Sequence, residues 1–549
     1  MIKNIINSLK NTKILFIILL CLNLFVVLYH FSNKQGFHSD EQWSYAHANS
    51  SIGAYLDKEI DSFYRVTKGV KQRLFNQFLN TDILNNYLTV QKDNIFSYYN
   101  IYNNLEVVEH PPLYFILLHT ISSFDVENFS KWHAGILNFI LFILIYVVLF
   151  KLANQLLKDE KLALCCVALW GFSEIGIDTV IFLRMYILQT LLCICLVYET
   201  LKILDKNSAE SKDLMLVFIY SFLGIFNQYN SIFFSFFVTL VTFIILLKRK
   251  NYSLLIKYCL VMLLSFLMLF VIFPQAYDVL FNSLRAKQVM SFATAQYTDN
   301  SSNVILEVLF VIEQRLTNIF SVLFQNFLSF NDTNFKMVTF VIIIGIFTKW
   351  YMNLKINKNT TYLIWITFLY FIYLLSMPYM HIFHSRYYMC LMPFYSILLV
   401  ILLKEVFVYI KIKRQMGIAI LTILILFNFL HMDFNKNSSY AFMWGESEHK
   451  IYNKIKNKNV FIDKGYNFIW LHSMVYFLME TKSVFITEEI CHSEPLSNIK
   501  NTINPIVFTY ASYIRSDFDG YDNKCLEDIG LIKTTKVCAS QHCYDVWEK

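Results

Sequence analysis

The sequence predicts a polytopic α-helical membrane protein with about eleven transmembrane helices, additional surface helices and a small C-terminal extracytoplasmic α/β domain. Apolar residues make up 56% of the 549-residue chain, and its mean hydropathy of +0.45 is too high for a water-soluble protein of this length. Many apolar runs approach the roughly 20 residues needed to cross a bilayer core of about 30 Å. The net charge of +7 is therefore interpreted as a topology signal, and no nucleic-acid partner is expected.

The first apolar segment, Ile14 to Phe31, is interpreted as a retained transmembrane helix. It resembles a signal peptide in length, but it lacks a cleavage site of small residues. Lys3, Lys10 and Lys13 precede it, so the N-terminus is expected in the cytoplasm. Residues 32–110 then form a polar and aromatic outer loop, which is expected to contain short helices along the membrane surface.

Ten further spans are predicted, and they place nearly every basic cluster of the short loops on the side of the N-terminus. They are Trp132 to Phe150, Leu162 to Ile177, Val180 to Leu201, Leu214 to Phe226, Ile232 to Leu247, Leu254 to Phe273, Met337 to Trp350, Tyr362 to Met377, Tyr387 to Leu403 and Gly417 to His431.

Two apolar segments are not counted as spans. Pro111 to Phe124 would cover only about 21 Å as a helix, and it is interpreted as a dipping or surface helix that begins at its prolines. Val304 to Leu328 is amphipathic and lies in a large outer loop, residues 277–335. Counting either one would turn the downstream basic clusters outward, against the positive-inside bias.

The chain is predicted to divide into a transmembrane domain, residues 1–432, and a soluble α/β domain, residues 433–549. In the second part, short β-rich runs alternate with helix-like stretches such as Asn467 to Met479. Four of the eleven cysteines lie there: Cys491, Cys525, Cys538 and Cys543. In an oxidising compartment at least one disulfide is expected, between Cys525 and either Cys538 or Cys543, with four unpaired thiols as the alternative.

Ionisable and phenolic side chains from five distant places in the sequence are expected at one depth, near the outer membrane surface. They are Asp40, Glu41, Glu109, His110, Glu174, Asp178, Arg184, Tyr186, His381, His384, Arg386 and Tyr387. Such groups cost free energy at membrane depth and so point to a function. A carboxylate can deprotonate an acceptor hydroxyl while Arg and Tyr hold phosphate oxygens, so the set predicts a site for a lipid-phosphate leaving group.

Each of these signals also has a structural explanation. An Asp-Glu pair is often a solvated surface or a helix cap, and His110-Pro111-Pro112 can separate two helices. Arg184 and Arg386 can extend towards lipid headgroups. The shared depth is what favours a single active site.

The sequence gives partial information on the kind of sugar donor and on a metal cofactor. The sequence contains neither a P-loop nor a G-x-G-x-x-G motif, which favours a lipid-linked sugar over a nucleotide sugar. Asp40, Glu41, His110 and Glu174 could in principle ligate a divalent metal, but oxygen ligands have no diagnostic spacing here. No metal site is therefore predicted, and metal dependence stays open.

The chain resembles the C-type glycosyltransferases of the protein O-mannosyltransferase and aminoarabinose-transferase-like superfamily. The matching motifs follow the family order over about the first 400 residues: Asp40-Glu41, Glu109-His110-Pro111-Pro112-Leu113-Tyr114, Arg184-Met185-Tyr186, and Arg386-Tyr387 with Met392-Pro393. A large loop after the seventh span matches residues 277–335, and some members end in an extracytoplasmic α/β domain. Arg184-Met185-Tyr186 is a loose match, and the 277–335 loop lacks the sugar-binding repeats of the eukaryotic enzymes.

The resemblance implies inverting transfer of a hexose or pentose from a polyprenyl-phosphate carrier to an acceptor on the outer face. A lipid-linked glycan, a cell-surface polysaccharide or a lipid is the expected acceptor. Asp40 matches the family's catalytic aspartate. Glu41 and Glu109 match acidic positions near the acceptor or sugar and are the other two catalytic candidates. The candidates for binding the donor phosphate are His110, Arg184, Tyr186, Arg386 and Tyr387. The bias towards Lys, Asn, Ile and Phe suggests an AT-rich bacterial genome. The expected location is therefore the bacterial inner, or plasma, membrane.

Two other classes of protein are considered. A transporter or flippase for a lipid-linked glycan would place charges at the bilayer midplane and show two repeated halves, and the sequence shows no internal repeat. A membrane sensor with a C-terminal ligand-binding domain would leave the Asp40-Glu41 motif unexplained. The glycosyltransferase interpretation is therefore preferred.

Overall fold

Two compact units make up the chain, and each draws on distant parts of the sequence. The computed structural model describes residues 11–53, 77–105, 108, 110–282, 358–376, 385–430, 440–441, 443–463, 469–487, 490–513, 524–539 and 542–549. The first unit comprises Met1–Tyr29, Asn138–Ile181 and Met185–Phe434. The second comprises His30–Leu137, Phe182–Arg184 and Asn435–Lys549.

Helices dominate the described residues, and strands occur only in the second unit. The α-helices are α1 (Thr12–Ser32), α2 (Ser39–Asn49), α3 (Asp82–Leu88), α4 (Tyr99–Leu105), α5 (Leu113–Ser122), α6 (Lys131–Leu157), α7 (Glu160–Gly171), α8 (Glu174–Ile181), α9 (Tyr186–Lys206), α10 (Ser211–Asn227), α11 (Asn230–Lys248), α12 (Tyr252–Ile272), α13 (Gln275–Tyr277), α14 (Lys358–Ser376), α15 (Met392–Tyr409), α16 (Arg414–Leu430), α17 (Glu446–Ile455), α18 (Ile469–Leu478), α19 (Ser493–Asn501) and α20 (Lys524–Asp528). The strands are β1 (Phe78–Asn80), β2 (Asn459–Asp463), β3 (Ser483–Thr487), β4 (Ile506–Tyr513), β5 (Ile532–Ala539) and β6 (His542–Glu548).

The described part of the chain contains six helices that are long and apolar enough to cross a membrane, which confirms the predicted polytopic helical fold. They are α1, α6, α9, α11, α12 and Met389–Tyr409, which contains α15. The bent pair of α7 and α8 is a seventh candidate. The helices α10 and α16, with 17 residues each, overlap the predicted spans Leu214 to Phe226 and Gly417 to His431, and α16 is one of the shorter apolar helices. The predicted span Met337 to Trp350 and the amphipathic segment Val304 to Leu328 lie outside the described residues.

One predicted span is broken in the structure. Leu162 to Ile177 was expected to be continuous, but α7 ends at Gly171 and α8 continues after a 63° bend. The Ser173 hydroxyl donates to the Trp170 carbonyl (2.7 Å) and accepts from the Gly176 amide (3.1 Å), so it replaces helical hydrogen bonds at the break. A Cβ on Gly176 would lie 2.0 Å from the Trp170 carbonyl oxygen, so this approach requires glycine.

The next predicted boundary also differs. The span expected to begin at Val180 begins instead at Tyr186, the first residue of α9. Phe182, Leu183 and Arg184 therefore lie between two helices and belong to the second unit. Arg184 is thus not inside a transmembrane helix, as its predicted position four residues into a span required.

The short helix predicted at Pro111 to Phe124 is present as α5, which has ten residues. Pro112 occupies its N-cap position, where the missing proline N–H removes a donor that would otherwise be unsatisfied. In this respect the prolines end the preceding loop and start the helix, as expected.

A six-stranded mixed sheet organises the second unit and confirms the predicted C-terminal α/β fold. The strand order is β1-β3-β2-β4-β6-β5. The central strands β3, β2 and β4 run parallel, while β1 and the β5–β6 hairpin are antiparallel to their neighbours. The helix α18 connects β2 to β3, and α19 connects β3 to β4. One core cluster packs Phe461, Phe485, Val507 and Trp547 together.

The edge strand β1 comes from the first loop. Residues 32–110 are predicted to belong to the transmembrane domain, and their described part groups with that of residues 435–549 in the second unit. Leu79 pairs with Val484 of β3 and is only 4% exposed. The Phe78 ring lies 5.1 Å from the ring of Phe485. Strand pairing and apolar burial therefore join the loop to the C-terminal sheet.

Two disulfides confirm that the C-terminal cysteines pair, although the predicted partners were wrong. Cys525 pairs with Cys491, whose Cα lies 5.8 Å away. Cys538 and Cys543 are opposite each other in the β5–β6 hairpin, with Cα atoms 4.0 Å apart. The Cys538–Cys543 pairing follows from the register of β5 and β6, whereas Cys491 in a turn and Cys525 in α20 meet through tertiary packing. Cysteine spacing alone reveals neither pairing.

The two disulfides should differ in their effect on stability. The bridges span 34 and 5 residues, for which the chain-entropy relation gives about 4 and about 2 kcal/mol respectively. We therefore expect the double variant Cys491→Ser/Cys525→Ser to lower the unfolding temperature more than Cys538→Ser/Cys543→Ser. Thermal unfolding of the purified full-length protein in detergent measures this. The reverse order would contradict the loop-closure argument.

Candidate functional site

The Asp40-Glu41 motif lies in the first turn of α2. His38 caps this helix, since its Nδ1 accepts from the Asp40 amide (3.1 Å) and its own amide donates to the Glu41 carboxylate (2.8 Å). This reciprocal pattern is a capping box, and the helix dipole favours carboxylates in the first turn. Asp40 and Glu41 therefore share the same local structure. They differ in burial and in the residues that surround their carboxylates.

Glu41 is completely buried, and both of its oxygens are occupied. Oε1 lies 3.0 Å from the Lys34 ammonium and accepts the Leu183 amide at 3.0 Å. Oε2 accepts the His38 amide. The Lys34 side chain is equally buried and also donates to the Tyr440 carbonyl. Burial raises the pKa of Glu41, while Lys34 and the two amides act in the opposite direction.

Asp40 is the accessible carboxylate of the pair. Its side chain is 16% exposed, and one oxygen lies 3.8 Å from Nδ1 of His38. Its carbonyl accepts the hydroxyl of Ser44, one helical turn later. The helix that carries it is mostly buried, and Gln42 accepts the Tyr476 amide of α18 at 2.9 Å. Asp40 is therefore presented by a fixed helix.

Arg184 is a buried cation with neutral partners. It is 2% exposed. Its guanidinium donates to the Ser44 hydroxyl at 3.3 Å and to Nε2 of His110 at 3.0 Å. Because arginine only donates, Nε2 of His110 must accept, which leaves the ring proton on Nδ1. Within the described residues Arg184 forms no ion pair with a carboxylate, and its Nε has no hydrogen-bond partner.

A buried guanidinium of this kind is costly unless an anion can approach it. Removing a charge from water costs several kcal/mol, and neutral acceptors compensate only part of that cost. Arginine also presents donors in a fork that matches phosphate oxygens. The arrangement around Arg184 is therefore what a binding site for a phosphate or carboxylate would need.

The Ser44 hydroxyl links Arg184 to the catalytic candidate Asp40. It accepts from Arg184 and donates to the Asp40 carbonyl. The four residues from Asp40 to Ser44 rise only about 6 Å along the helix. The segment before Arg184 is also fixed, because the Phe182 ring stacks on Tyr440 with centroids 3.9 Å apart. The second unit thus brings Asp40, Glu41, His110 and Arg184 together from three distant parts of the sequence.

The remaining predicted site residues are placed elsewhere. Tyr186, Arg386 and Tyr387 belong to the first unit. There the Tyr186 and Tyr387 rings meet edge to face at 6.2 Å, and the Arg386 guanidinium lies 5.4 Å from the Tyr387 ring centre. Their role in phosphate binding stays a prediction. Glu109 lies outside the described residues, as do His381 and His384.

Glu174 and Asp178 are buried in α8 of the first unit. The described ranges contain no group of three or more His, Cys, Asp or Glu side chains that could hold a metal ion.

Sequence reasoning missed three contributors to this site. Lys34 carried a usable signal, because a lysine directly after a span that is predicted to run outward opposes the positive-inside bias. Ser44 carried a weaker signal, since it follows Asp40 by four residues and so shares its helix face. The Leu183 amide carried none, because a backbone donor becomes available only where the helix is interrupted.

The fold and the site together define a polytopic helical membrane protein whose sheet-containing unit holds an accessible carboxylate, Asp40, and a buried arginine, Arg184, that are linked through Ser44. Among solved structures, the chain is similar to ArnT from Cupriavidus metallidurans in the apo state, with a TM-score of 0.52, 9% identity and 97% of each chain covered. The structure of that ArnT bound to undecaprenyl phosphate gives a TM-score of 0.48 at the same identity and coverage. No protein-family model matches the sequence, and no curated protein matches it. At this identity the likeness shows the fold.

Proposed function

We propose that the protein is a membrane glycosyltransferase that transfers a sugar from a polyprenyl-phosphate carrier to an acceptor on the outer face of the membrane. The observation that carries this proposal is Arg184, a buried cation with no carboxylate partner among the described residues, linked through Ser44 to the helix of Asp40. The likeness of the fold to that of ArnT, over 97% of both chains, also supports a sugar-transfer reaction for this protein.

The proposed reaction uses Asp40 as the general base. Asp40 takes the proton of an acceptor hydroxyl, and the hydroxyl oxygen forms a bond to the anomeric carbon of the donor sugar. The bond between that carbon and the phosphate oxygen breaks on the opposite face, and its electron pair leaves with the polyprenyl phosphate. The anomeric configuration is inverted.

Arg184 has a specific part in this scheme because the phosphate charge changes. In the donor the phosphate is a diester with one negative charge, whereas the departing polyprenyl phosphate is a monoester that gains a second. The Arg184 guanidinium is therefore bound more strongly as the bond breaks, which is the differential interaction that accelerates a reaction. Neutral His110 fixes the guanidinium without cancelling its charge.

The proposed orientation places the second unit outside the cytoplasm. Two disulfides are typical of an oxidising compartment. The three lysines before α1 favour a cytoplasmic N-terminus, so the chain after this first helix would begin on the opposite side. The acceptor would then be a lipid-linked glycan, a surface polysaccharide or a lipid.

The function can be tested with the purified full-length protein in lipid nanodiscs. A panel of synthetic polyprenyl-phosphate hexoses and pentoses would be supplied with a bacterial envelope lipid extract, and released polyprenyl phosphate would be measured by mass spectrometry. We expect at least one donor to be cleaved faster when the extract is present. Failure to cleave any donor, together with donor movement between leaflets of proteoliposomes, would favour the flippase alternative.

A further inference from the structure

The Lys34–Glu41 ion pair closes the turn between α1 and α2. Both side chains have no exposed surface, and their charged atoms are 3.0 Å apart. The carboxylate also accepts two backbone amides, His38 at the start of α2 and Leu183 immediately before Arg184. One side chain therefore holds two segments that are 142 residues apart in sequence.

We propose that Glu41 is a positioning residue, which together with Lys34 fixes the 182–184 segment and so places Arg184 against the helix that carries Asp40. That Arg184 binds the donor phosphate from this position rests on the proposed function. The geometry itself is independent of that function, because every contact named here is made within the protein.

The chemistry of the carboxylate explains why glutamate is needed. An ionised carboxylate only accepts hydrogen bonds, so it can serve two N–H donors and an ammonium at once. A glutamine in the same place would turn its amide N–H₂ towards one of those donors. Lys34 supplies the counter-charge without which a buried carboxylate is strongly unfavourable.

The alternative is that Glu41 takes part in proton transfer, as its place beside Asp40 suggests. A general acid or base must come within hydrogen-bond reach of the reacting group. Glu41 is 0% exposed, with both oxygens already engaged by Lys34, Leu183 and His38. The neighbouring Asp40 has the exposed surface that this role needs.

The test is a double-variant cycle of Glu41→Gln and Arg184→Gln, made in the full-length protein. The probe is undecaprenyl phosphate, and its dissociation constant is measured in detergent. Each single variant should weaken binding by about ten- to a hundredfold, which corresponds to one charge-assisted hydrogen bond. The double variant should bind no more weakly than Arg184→Gln alone. Additive losses would overturn the positioning role.

Kinetics separate positioning from proton transfer. Glu41→Gln should raise the KM for the donor while kcat keeps the wild-type pH profile. Loss of one limb of that profile would make Glu41 a proton-transfer residue and contradict the proposal. If the wild-type protein itself fails to bind undecaprenyl phosphate, the proposed function fails first, and the inference falls with it.

A second variant covers the case in which Glu41→Gln does not fold. Lys34→Met/Glu41→Gln removes both charges of the ion pair together, so neither residue is left as a buried charge without its partner. We expect this variant to be monodisperse and to show the same loss of affinity. Wild-type affinity in the folded double variant would refute the positioning role.

The chain offers a closely matched control in Glu448. This buried glutamate is also part of a helix cap and also accepts two amides, from Gly445 and Cys538, each at 2.8 Å. It has no link to Arg184 among its described contacts. Glu448→Gln should therefore leave undecaprenyl phosphate binding within about twofold of the wild type, because no charge-assisted contact to the ligand is lost.

Discussion

Replacing Asp40 by Asn is expected to lower kcat by about 10² to 10⁴, the usual contribution of general base catalysis. Asparagine keeps the size of the side chain and its place in the first turn of α2, but it cannot take a proton from the acceptor. Binding of undecaprenyl phosphate should stay within a few-fold of the wild type, because Arg184 is not altered. The measurement combines donor turnover with a separate binding assay.

The matched control for this variant is Asp93→Asn. Asp93 is an exposed aspartate of the same loop, and among its described contacts its carboxylate accepts the side-chain amide of Asn94. Turnover in that variant should equal that of the wild type. If Asp40→Asn retained most of the wild-type kcat, Asp40 could not be the base, and the proposed mechanism would have to be abandoned.

Replacing Arg184 by Gln should impair both binding and turnover. Affinity for undecaprenyl phosphate is expected to fall by about ten- to a hundredfold, since a charge-assisted contact is lost. The kcat should fall as well, because the second phosphate charge develops only as the sugar bond breaks. Arg184→Lys should recover binding only in part, since a single ammonium does not reproduce the two-sided guanidinium geometry at Ser44 and His110.

Arg414→Gln serves as the control for loss of an arginine. Arg414 is 61% exposed and pairs with Asp159 at 2.7 Å, so its removal costs little. Equal affinities for undecaprenyl phosphate in Arg184→Gln and the wild type would show that the buried cation has another purpose. The case for a lipid-phosphate donor would then lose its main support.

Much of this protein's local structure follows from its sequence. Transmembrane helices are recognisable because an apolar run of about 20 residues has one stable form in a bilayer. The start of α5 follows from its prolines. The alternation of β-rich and helix-like runs after residue 433 is likewise local information.

The different surroundings of Asp40 and Glu41 depend on the tertiary structure. The two residues are chemically alike and adjacent, and the sequence assigned both to catalysis. Only the folded chain places Lys34 and the Leu183 amide on Glu41 and leaves Asp40 partly exposed. Burial and hydrogen bonding determine what a carboxylate can do, and both come from residues far away in the chain.

Strand register and the ends of the helices around Arg184 also depend on the tertiary structure. The sequence indicated that the C-terminal cysteines pair, but the partners depend on the β5–β6 register in one case and on the packing of α20 in the other. The strand β1 joins the C-terminal sheet because apolar burial rewards a contact about 400 residues away in sequence. Arg184 lies in a segment between helices, because α8 ends before it and α9 begins after it. Hydrophobic period and length are local properties that one segment reveals, whereas partners, register and burial exist only once distant segments are packed together.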